Sequence, residues 1–168
     1  MRYGIFSDIH SNLEAFEAVI KAFKKEKIDC FLCGGDIVGY AANPCECLKM
    51  VQGFADFIVA GNHDYGSVGL FDIEYFNPEA KEAILWTRDK LSESQKNYLA
   101  SLKLIFQDKN LILVHGSLSE PEKFRYLISE ELAKKSFGLQ QKKVCFIGHS
   151  HIAGVFIQDK SVNIYSAK

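Results

Sequence analysis

The sequence predicts an α/β fold, in which short buried strands alternate with amphipathic helices. Near the N-terminus, apolar runs at residues 3–7, 31–33 and 57–60 are separated by two helical patterns. Each run is short enough for one buried strand, and the βαβαβ order favours parallel pairing. Two further apolar runs, at residues 111–114 and 144–147, extend the same pattern into the second half of the chain.

The composition is that of a globular protein without a membrane span. Apolar residues make up 48% of the 168 positions, which suits one domain covering residues 1–168 with a sizeable core. The net charge of −1 gives no sign of a basic surface, so we do not expect binding of long nucleic acids. The sequence contains no run of about 18 apolar residues, the length that crosses a membrane, so we expect a cytoplasmic protein. The five cysteines should then stay free thiols that pack as small apolar groups.

Helix-start signals place the first two helices between the strands. Ser11 and Glu14 have the spacing of a capping box, which predicts a helix from there to about residue 26. Asn43 and Pro44 predict the start of the second helix, because asparagine favours the N-cap and proline the first helical position. The apolar stripe of the first helix repeats at helical spacing, at Leu13, Phe16, Val19, Ile20 and Phe23.

The second half of the chain carries signals of the same kinds. Residues 65–76 are interpreted as a loop, and Asn77 with Pro78 predicts a helix that extends to about residue 91. Ser92 and Gln95 form a capping box for a further helix. Two hairpins are predicted, at residues 104–114 with a turn at 108–110 and at residues 155–165 with a turn at 159–160. Between them we expect a loop at residues 116–128 and a helix at residues 129–138.

Polar residues of metal-binding and acid–base types follow all five apolar runs. Two glycines break the run that ends at Cys33, so Asp36 should stand at the lip of its strand. In open α/β sheets, ligands bind beyond the carboxyl ends of the strands, so the five ends should converge on one site. The residues concerned, which include all five histidines, are Asp8, His10, Asp36, Asn62, His63, Asp64, His115, His149 and His151.

The strand-end residues suit the binding of divalent metal ions. Carboxylate, amide and imidazole ligands favour manganese, iron, zinc, nickel or cobalt. One carboxylate can bridge two cations, and a pair about 3.5–4 Å apart can hold a hydroxide and clamp a phosphoryl group. Alone, His10 could begin a helix and Asn62 could form a turn. All five motifs together at strand ends are hard to explain by packing, so we interpret them as one metal site.

Five short motifs carry these residues: Asp8-x-His10, Gly35-Asp36-x-x-Gly39, Gly61-Asn62-His63-Asp64, His115-Gly116 and Gly148-His149-Ser150-His151. Their order and spacing resemble those of the calcineurin-like metallophosphoesterases, from residue 1 to about residue 157. The resemblance is specific because all five blocks match. It is strongest for the small bacterial and archaeal phosphodiesterase-like branch, which is also resembled by Gly39-Tyr40, Asn43-Pro44, Phe76-Asn77-Pro78 and Trp86-Thr87-Arg88.

The resemblance implies the metallo-dependent phosphatase fold, a four-layer α/β/β/α sandwich of two facing mixed sheets flanked by helices. It also implies that His63 is the leaving-group acid and that Asp64 orients it. Strand ends alone do not show which residue binds which metal ion. The resemblance implies that one ion is held by Asp8, His10 and His151 and the other by Asn62, His115 and His149, with Asp36 bridging the two.

The implied function is hydrolysis of phosphoesters, more specifically phosphodiesters, by in-line attack of a metal-bridging hydroxide. Manganese is the favoured metal, and the implied substrate is a small phosphoester such as a nucleotide. A phosphomonoester or protein phosphatase and a dinucleoside-polyphosphate hydrolase are alternatives. A non-catalytic scaffold is disfavoured, because the chain has His63 and every predicted ligand. Tyr40, Tyr65, Arg125 and Tyr126 lie in loops near the motifs, where each could touch substrate or simply be solvated.

Two features depart from the family's pattern. Ser11 stands where a glycine is common, and we expect little effect. Family members usually continue through a further strand, whereas this sequence ends at Lys168. The chain is either naturally short or a fragment. If the ending is natural, the domain would lack the family's C-terminal strands and leave an open sheet edge at the final hairpin. Because open edges recruit other strands, we expect this edge to pair with a second copy as a homodimer.

Overall fold

A computed structural model of the chain describes residues 1–159 and the backbone of residues 162–166. Its N-terminal part has the predicted βαβαβ order. The elements are β1 (Tyr3–Phe6), α1 (Leu13–Phe23), β2 (Cys30–Cys33), α2 (Pro44–Phe54) and β3 (Phe57–Ile58). Both strand pairs are parallel, with Phe6 opposite Cys33 and Cys33 opposite Ile58. The predicted parallel unit is therefore confirmed.

The rest of the described chain contains the remaining α-helices and strands, with a 3-10 turn at Pro121–Lys123. They are α3 (Asn62–Ser67), α4 (Pro78–Lys90), α5 (Glu93–Ser101), β4 (Ile105–Gln107), β5 (Leu111–Val114), α6 (Glu130–Leu139), β6 (Val144–Phe146), β7 (Gly154–Gln158) and β8 (Val162–Ser166). The two predicted hairpins are confirmed as antiparallel pairs, β4 with β5 and β7 with β8. The turn predicted at residues 159–160 lies partly outside the described residues.

The strands form two three-stranded sheets and a separate β7–β8 ribbon within the described part of the chain. The first sheet has the order β1-β2-β3 and consists of parallel pairs. The second sheet, β4-β5-β6, is mixed, because β5 pairs antiparallel with β4 and parallel with β6. A parallel bridge from Val59 to Lys103 brings the segment before β4 to the edge of the first sheet.

The two sheets face each other between layers of helices, which is the predicted four-layer order. Leu32 and Val59 of the first sheet pack against Leu111 and Leu113 of the second. Burial of each such side chain contributes about 1.5–3 kcal/mol, so this shared core fixes the two sheets together. Outside the first sheet lie α1, α2 and α5, whose buried side chains include Phe16, Leu48, Val51 and Leu99. Beyond the second sheet, α6 lines a cavity with β6 and β7.

The start of α1 differs from the prediction. Asn12, rather than Ser11, is the N-cap, and its side-chain oxygen accepts a hydrogen bond from the N–H of Ala15 at 3.1 Å. Ser11 has a φ of +60°, and its N–H donates to the carbonyl of Ile37. Ser11 therefore serves the contact between two loops, which its sequence spacing could not reveal. The capping box of Ser92 and Gln95 at α5 is confirmed.

A short helix occupies part of a predicted loop. The loop prediction is wrong for residues 65–67, because α3 extends to Ser67. A six-residue helix has no room for an apolar period, so helical spacing gave no signal. His63 consequently lies in the first turn of a helix, directly after the third strand. No helix among the described residues is long and apolar enough to cross a membrane.

Candidate metal centre

The carboxyl ends of β1, β2, β3, β5 and β6 meet at one edge of the two sheets. All nine predicted site residues lie at this edge, distributed over the five turns that follow these strands. Most of them are buried, and Asp36 and His115 are among the most completely enclosed. His151 is the exposed member. The predicted convergence of the strand ends is therefore found in the structure.

Asp36 lies at the centre of the cluster. Its Oδ2 atom is 3.2 Å from Nε2 of His115 and 3.6 Å from Nε2 of His10. Its Oδ1 atom accepts a hydrogen bond from the backbone N–H of His63 at 2.8 Å. His10 follows a strand of the first sheet and His115 a strand of the second. One carboxylate thus contacts histidines that come from both sheets.

Asp8, His10 and His151 converge on one side of Asp36. Nε2 of His151 is 3.2 Å from Oδ1 of Asp8 and 3.1 Å from Nε2 of His10. Nδ1 of His10 lies 3.3 Å from the carbonyl oxygen of Val38. In the tautomer protonated at Nδ1, the Nδ1–H group donates to this carbonyl and the lone pair of Nε2 faces the cluster, as in metal-binding histidines.

Asn62, His115 and His149 converge on the other side. Nε2 of His115 is 3.1 Å from Oδ1 of Asn62, and the rings of His115 and His149 are 5.0 Å apart. Nδ1 of His115 lies 2.7 Å from the carbonyl oxygen of Gly34, which can hold the ring in the same way. The N–H of His149 donates to Asp8 at 3.0 Å, which links the two sides.

The set of donor atoms fits divalent metal ions. Two imidazole lone pairs that face each other repel unless a proton or a cation lies between them, so the short contact of His10 with His151 suits a shared cation. Imidazole nitrogen with carboxylate oxygen is a suitable ligand set for first-row divalent ions. Three groups present ligand atoms within 4.8 Å of one another among the described residues: Asp8–His10–His151, His10–Asp36–His63 and Asp36–His115–His149.

Burial and neighbouring charges shift the pKa values of the cluster. Burial lowers the pKa of His63 and of His149 to about 4, which keeps both rings neutral near pH 7. Burial also opposes protonation of His115, but the adjoining Asp36 carboxylate raises the pKa of His115 to about 9 overall. For Asp36, burial favours the neutral acid, yet the surrounding histidines hold its pKa well below the usual range. At neutral pH, Asp36 is therefore a carboxylate paired with protonated His115. A cation that binds Nε2 of His115 would displace this proton.

Much of the cluster stands on left-handed backbone. This conformation costs an L-amino acid roughly 1–2 kcal/mol, so the packed surroundings must hold it in place. It occurs in the turns after β1, β2 and β6, which carry five of the clustered polar side chains. The predicted ligands with positive φ are Asp8 (56°), His10 (49°), Asp36 (52°), His149 (68°) and His151 (54°).

The carboxylate of Asp64 contacts backbone rather than the ring of His63. Its Oδ1 atom accepts hydrogen bonds from the N–H groups of Ile37 at 2.9 Å and Val38 at 3.2 Å. Its Oδ2 atom accepts from the N–H of Gly61 at 2.9 Å. Burial, with the nearby Asp36, raises the pKa of Asp64 to about 7. Asp64 thus joins the turns that carry Asp36 and His63, and its role in orienting the His63 ring stays a prediction.

Gly61 allows those two turns to approach closely. A Cβ atom at this position would lie 2.0 Å from Oδ1 and 2.4 Å from the backbone nitrogen of Asp36. We expect Gly61→Ala to displace Asp36 and to lower the free energy of unfolding by about 1–3 kcal/mol, the range for overpacked sites. Urea denaturation monitored by circular dichroism measures this change.

Gly53→Ala is the matched control for that substitution. Gly53 lies in α2, and an added Cβ there meets nothing within 4 Å. Gly53 lies in the last turn of α2, where alanine is a better helix former than glycine, so we expect this variant to be at least as stable as the wild type. Equal stabilities of the two alanine variants would contradict the close approach at Gly61.

The cluster lines a cavity of about 180 Å³, with Tyr40, Tyr126 and Ser150 on its rim. Of the four loop residues left open by the sequence, Tyr40 and Tyr126 thus border the site. Tyr65 instead donates its hydroxyl to the carbonyl of Leu102, and Arg125 pairs with Glu120. A larger cavity of about 450 Å³ lies between α6, β6 and β7, and its described lining includes no histidine or carboxylate.

Some contacts at the site were not predicted. The carbonyls of Gly34 and Val38 that face His115 and His10 are backbone groups, which carry no residue-type signal. The ring of Phe76 packs edge-on against His63 with centroids 5.1 Å apart. Phe76 belongs to the Phe76-Asn77-Pro78 motif, which was the one available signal for it.

Comparison with known proteins places the chain among its relatives. The family model described as calcineurin-like phosphoesterase matches residues 1–153. The uncharacterized protein MJ0912 of Methanocaldococcus jannaschii is 37% identical over 170 residues, which cover 98% of this chain and 68% of that protein.

Solved structures give the same result. A metallophosphoesterase from Sphaerobacter thermophilus is 34% identical, with a TM-score of 0.84 over 100% of this chain and 69% of that chain. The protein PH1004 from Pyrococcus horikoshii shares the fold at 18% identity, with a TM-score of 0.66 over 99% of this chain and 87% of that chain. With the metallo-dependent phosphatase fold and its cluster of histidines and aspartates, the chain belongs to the calcineurin-like phosphoesterase family.

Proposed function

We propose that this protein is a dinuclear metal-dependent hydrolase of phosphoesters, with phosphodiesters as its substrates. The observation that carries the proposal is the position of Asp36, whose carboxylate belongs to two of the three groups of converging ligand atoms. A carboxylate placed in this way can serve two cations at once. The 34% identical metallophosphoesterase from Sphaerobacter thermophilus supports the reaction class.

The residues proposed to hold the metals follow the two sides of the cluster. When bound, two divalent ions would neutralise phosphoryl charge and lower the pKa of a water molecule that acts as the nucleophile. Manganese is our proposed metal among those that suit nitrogen and oxygen ligands. Asp36 would bridge the two sites, which are formed by Asp8, His10 and His151 and by Asn62, His115 and His149.

His63 is the proposed acid that protonates the leaving oxygen. Because burial keeps its ring neutral near pH 7, the ring would have to gain a proton when the anionic phosphoester binds beside it. Its ring lines the cavity beside the proposed ligands, and its backbone N–H is fixed by Asp36 at 2.8 Å. The ring packs edge-on against His10 with centroids 4.7 Å apart. His63 would therefore face the substrate next to the metals. Asp64 would support it indirectly, by holding the turn after β2 against the turn after β3.

The charge of the cavity supports diesters over monoesters. Apart from the proposed metal ions, its described lining supplies no lysine or arginine that could contact the additional charged oxygen of a phosphomonoester. A diester carries one negative charge at neutral pH and needs less compensation. Phosphomonoester or protein phosphatase activity is the alternative within the same site.

The nucleophile is proposed to be water rather than a side chain. Ser150 is the one serine among the described cavity residues, and its hydroxyl hydrogen-bonds to the backbone of Ile152. Reaction in ¹⁸O-water should therefore label the phosphate product in the first turnover. An unlabelled first-turnover product would instead indicate a covalent intermediate.

The preference for diesters is measured by steady-state kinetics. With Mn²⁺ and paired monoesters and diesters of 4-nitrophenol, the diester should show the higher kcat/KM.

Further properties are proposed with the function. We propose small nucleotide-like substrates, a cytoplasmic location and a homodimer. The homodimer is supported by exposed apolar side chains on β6 and β7, namely Val144, Phe146, Val155 and Ile157. A single domain over residues 1–168 also stays a proposal.

A further inference from the structure

Two half-exposed tyrosines stand on the rim of the metal centre. The ring of Tyr40 lies 4.8 Å from that of His10 and 4.6 Å from that of His63. The ring of Tyr126 stacks on His149, with centroids 4.0 Å apart and an angle of 13° between the planes. Tyr40 is 47% exposed and Tyr126 is 52% exposed. Each ring therefore contacts the cluster on one side and offers free aromatic surface on another.

The backbone holds Tyr40 in this position. Tyr40 has a φ of +59°, a conformation that is unfavourable for a bulky side chain. The next residue, Ala41, donates its N–H to the carbonyl of His10 at 3.0 Å. The turn that carries Tyr40 is thus attached to the turn that carries a predicted ligand. Such a strained, half-exposed aromatic side chain is more typical of a binding site than of a solvated loop.

The backbone also holds Tyr126. Two residues earlier, the buried ring of Phe124 packs edge-on against His115, with centroids 5.9 Å apart. The carbonyl of Arg125 lies so close to Gly116 that a Cβ there would be 2.9 Å from it. Tyr126 is therefore carried by a loop that is packed against the centre.

We propose that Tyr40 and Tyr126 form an aromatic subsite that binds the planar organic groups of the phosphoester, either an aryl group or a nucleobase. The inference rests on the proposed function and adds a substrate class to it. Tyr40 contacts His63, the proposed leaving-group acid, so Tyr40 holds the departing group. Tyr126 lies against His149 and holds the group that stays on the phosphate. Aromatic faces stack on any planar ring, which gives a preference for ring-bearing esters over alkyl esters.

Two substrates with the same leaving group separate the two tyrosines. Bis(4-nitrophenyl) phosphate carries an aryl group on both sides, whereas methyl 4-nitrophenyl phosphate has methyl as the retained group. Tyr126→Leu should raise KM for the first substrate by roughly 5- to 100-fold, the range of one lost stacking contact, and change the second less than about twofold. Tyr40→Leu should raise KM for both substrates, because both release 4-nitrophenolate.

Control variants test whether the rings themselves are responsible. Tyr40→Phe and Tyr126→Phe keep the ring and should keep the preference for the bis-aryl substrate. Tyr75→Leu removes a tyrosine that is 93% exposed and lies outside the cavity, and it should leave both KM values unchanged. Circular dichroism confirms that each variant is folded.

A binding measurement makes this test independent of turnover. Isothermal titration calorimetry with the Mn²⁺-loaded protein compares adenosine 5′-monophosphate with ribose 5-phosphate, which share the phosphate and differ in the base. The wild type should bind the nucleotide roughly 5- to 100-fold more tightly. The base belongs to the group that stays on the phosphate, so Tyr126→Leu should lose this difference and Tyr40→Leu should keep it. A wild type that binds both equally, or a Tyr126→Leu variant that keeps the preference, would overturn the subsite. Absent hydrolysis with retained base preference would overturn the proposed function alone.

Discussion

Asp36→Asn is expected to remove both metal ions and to reduce phosphoesterase activity by at least about 10³-fold. An amide retains one oxygen that can accept the N–H of His63, but it presents a neutral NH₂ group where Oδ2 now faces His115 and His10. Loss of the shared charge should weaken both metal sites together. Metals supply several kcal/mol of transition-state stabilisation, which corresponds to a loss of this size.

Metal analysis by inductively coupled plasma mass spectrometry provides the measurement, with activity assayed on the same sample. Asp89→Asn is the matched control, because it removes the same charge from the chain at an exposed position on α4. It should retain wild-type metal content and activity. Full two-site occupancy in Asp36→Asn would show that the carboxylate does not bridge two ions.

His63→Gln is expected to retain both metals and to lower kcat by about 10² to 10⁴, the usual range for loss of a general acid. The buried ring of His63 lines the cavity. The contacts of Asp36 with His10 and His115 do not depend on that ring. The loss should be smaller for 4-nitrophenyl esters than for alkyl leaving groups, since 4-nitrophenolate departs without a proton. Steady-state kinetics over leaving groups of increasing pKa measures the difference.

The metal content of this variant decides between two roles. His63 also has a ligand atom within 4.8 Å of those of His10 and Asp36, so the geometry admits a metal-binding role. A variant that loses metal in proportion to activity would make His63 a ligand. A uniform loss across all leaving groups would likewise contradict an acid that protonates the departing oxygen.

The placement of the site could be predicted because it depends on strand direction and strand ends. Short apolar runs identify buried strands, and the parallel order sends their carboxyl ends to one edge. Asp36 and His115 could therefore be placed together from runs that lie far apart in sequence. The family resemblance then supplied the four layers and a proposed division of ligands, which strand ends alone could not provide.

Other features depend on contacts that no local pattern contains. Asn12 replaces Ser11 as the cap of α1 because Ser11 is committed to Ile37, a contact between separate loops. The helix α3 is too short for a periodic signal. The resemblance implied that Asp64 orients the ring of His63, and this role stays a prediction, but the hydrogen bonds of its carboxylate to the backbone after β2 had no local signal. Each of these outcomes was decided by tertiary structure.

The left-handed turns set a limit on how this protein can evolve. Glycine would relieve the backbone strain at Asp8, His10, Asp36, His149 and His151, but glycine has no side chain with which to bind a metal. If these residues bind the proposed metals, substitutions that stabilise the fold at these positions are closed to a lineage that keeps the metal site. Selection for higher thermal stability must act elsewhere, for example in the apolar layer between the two sheets, and would leave the strained turns in place.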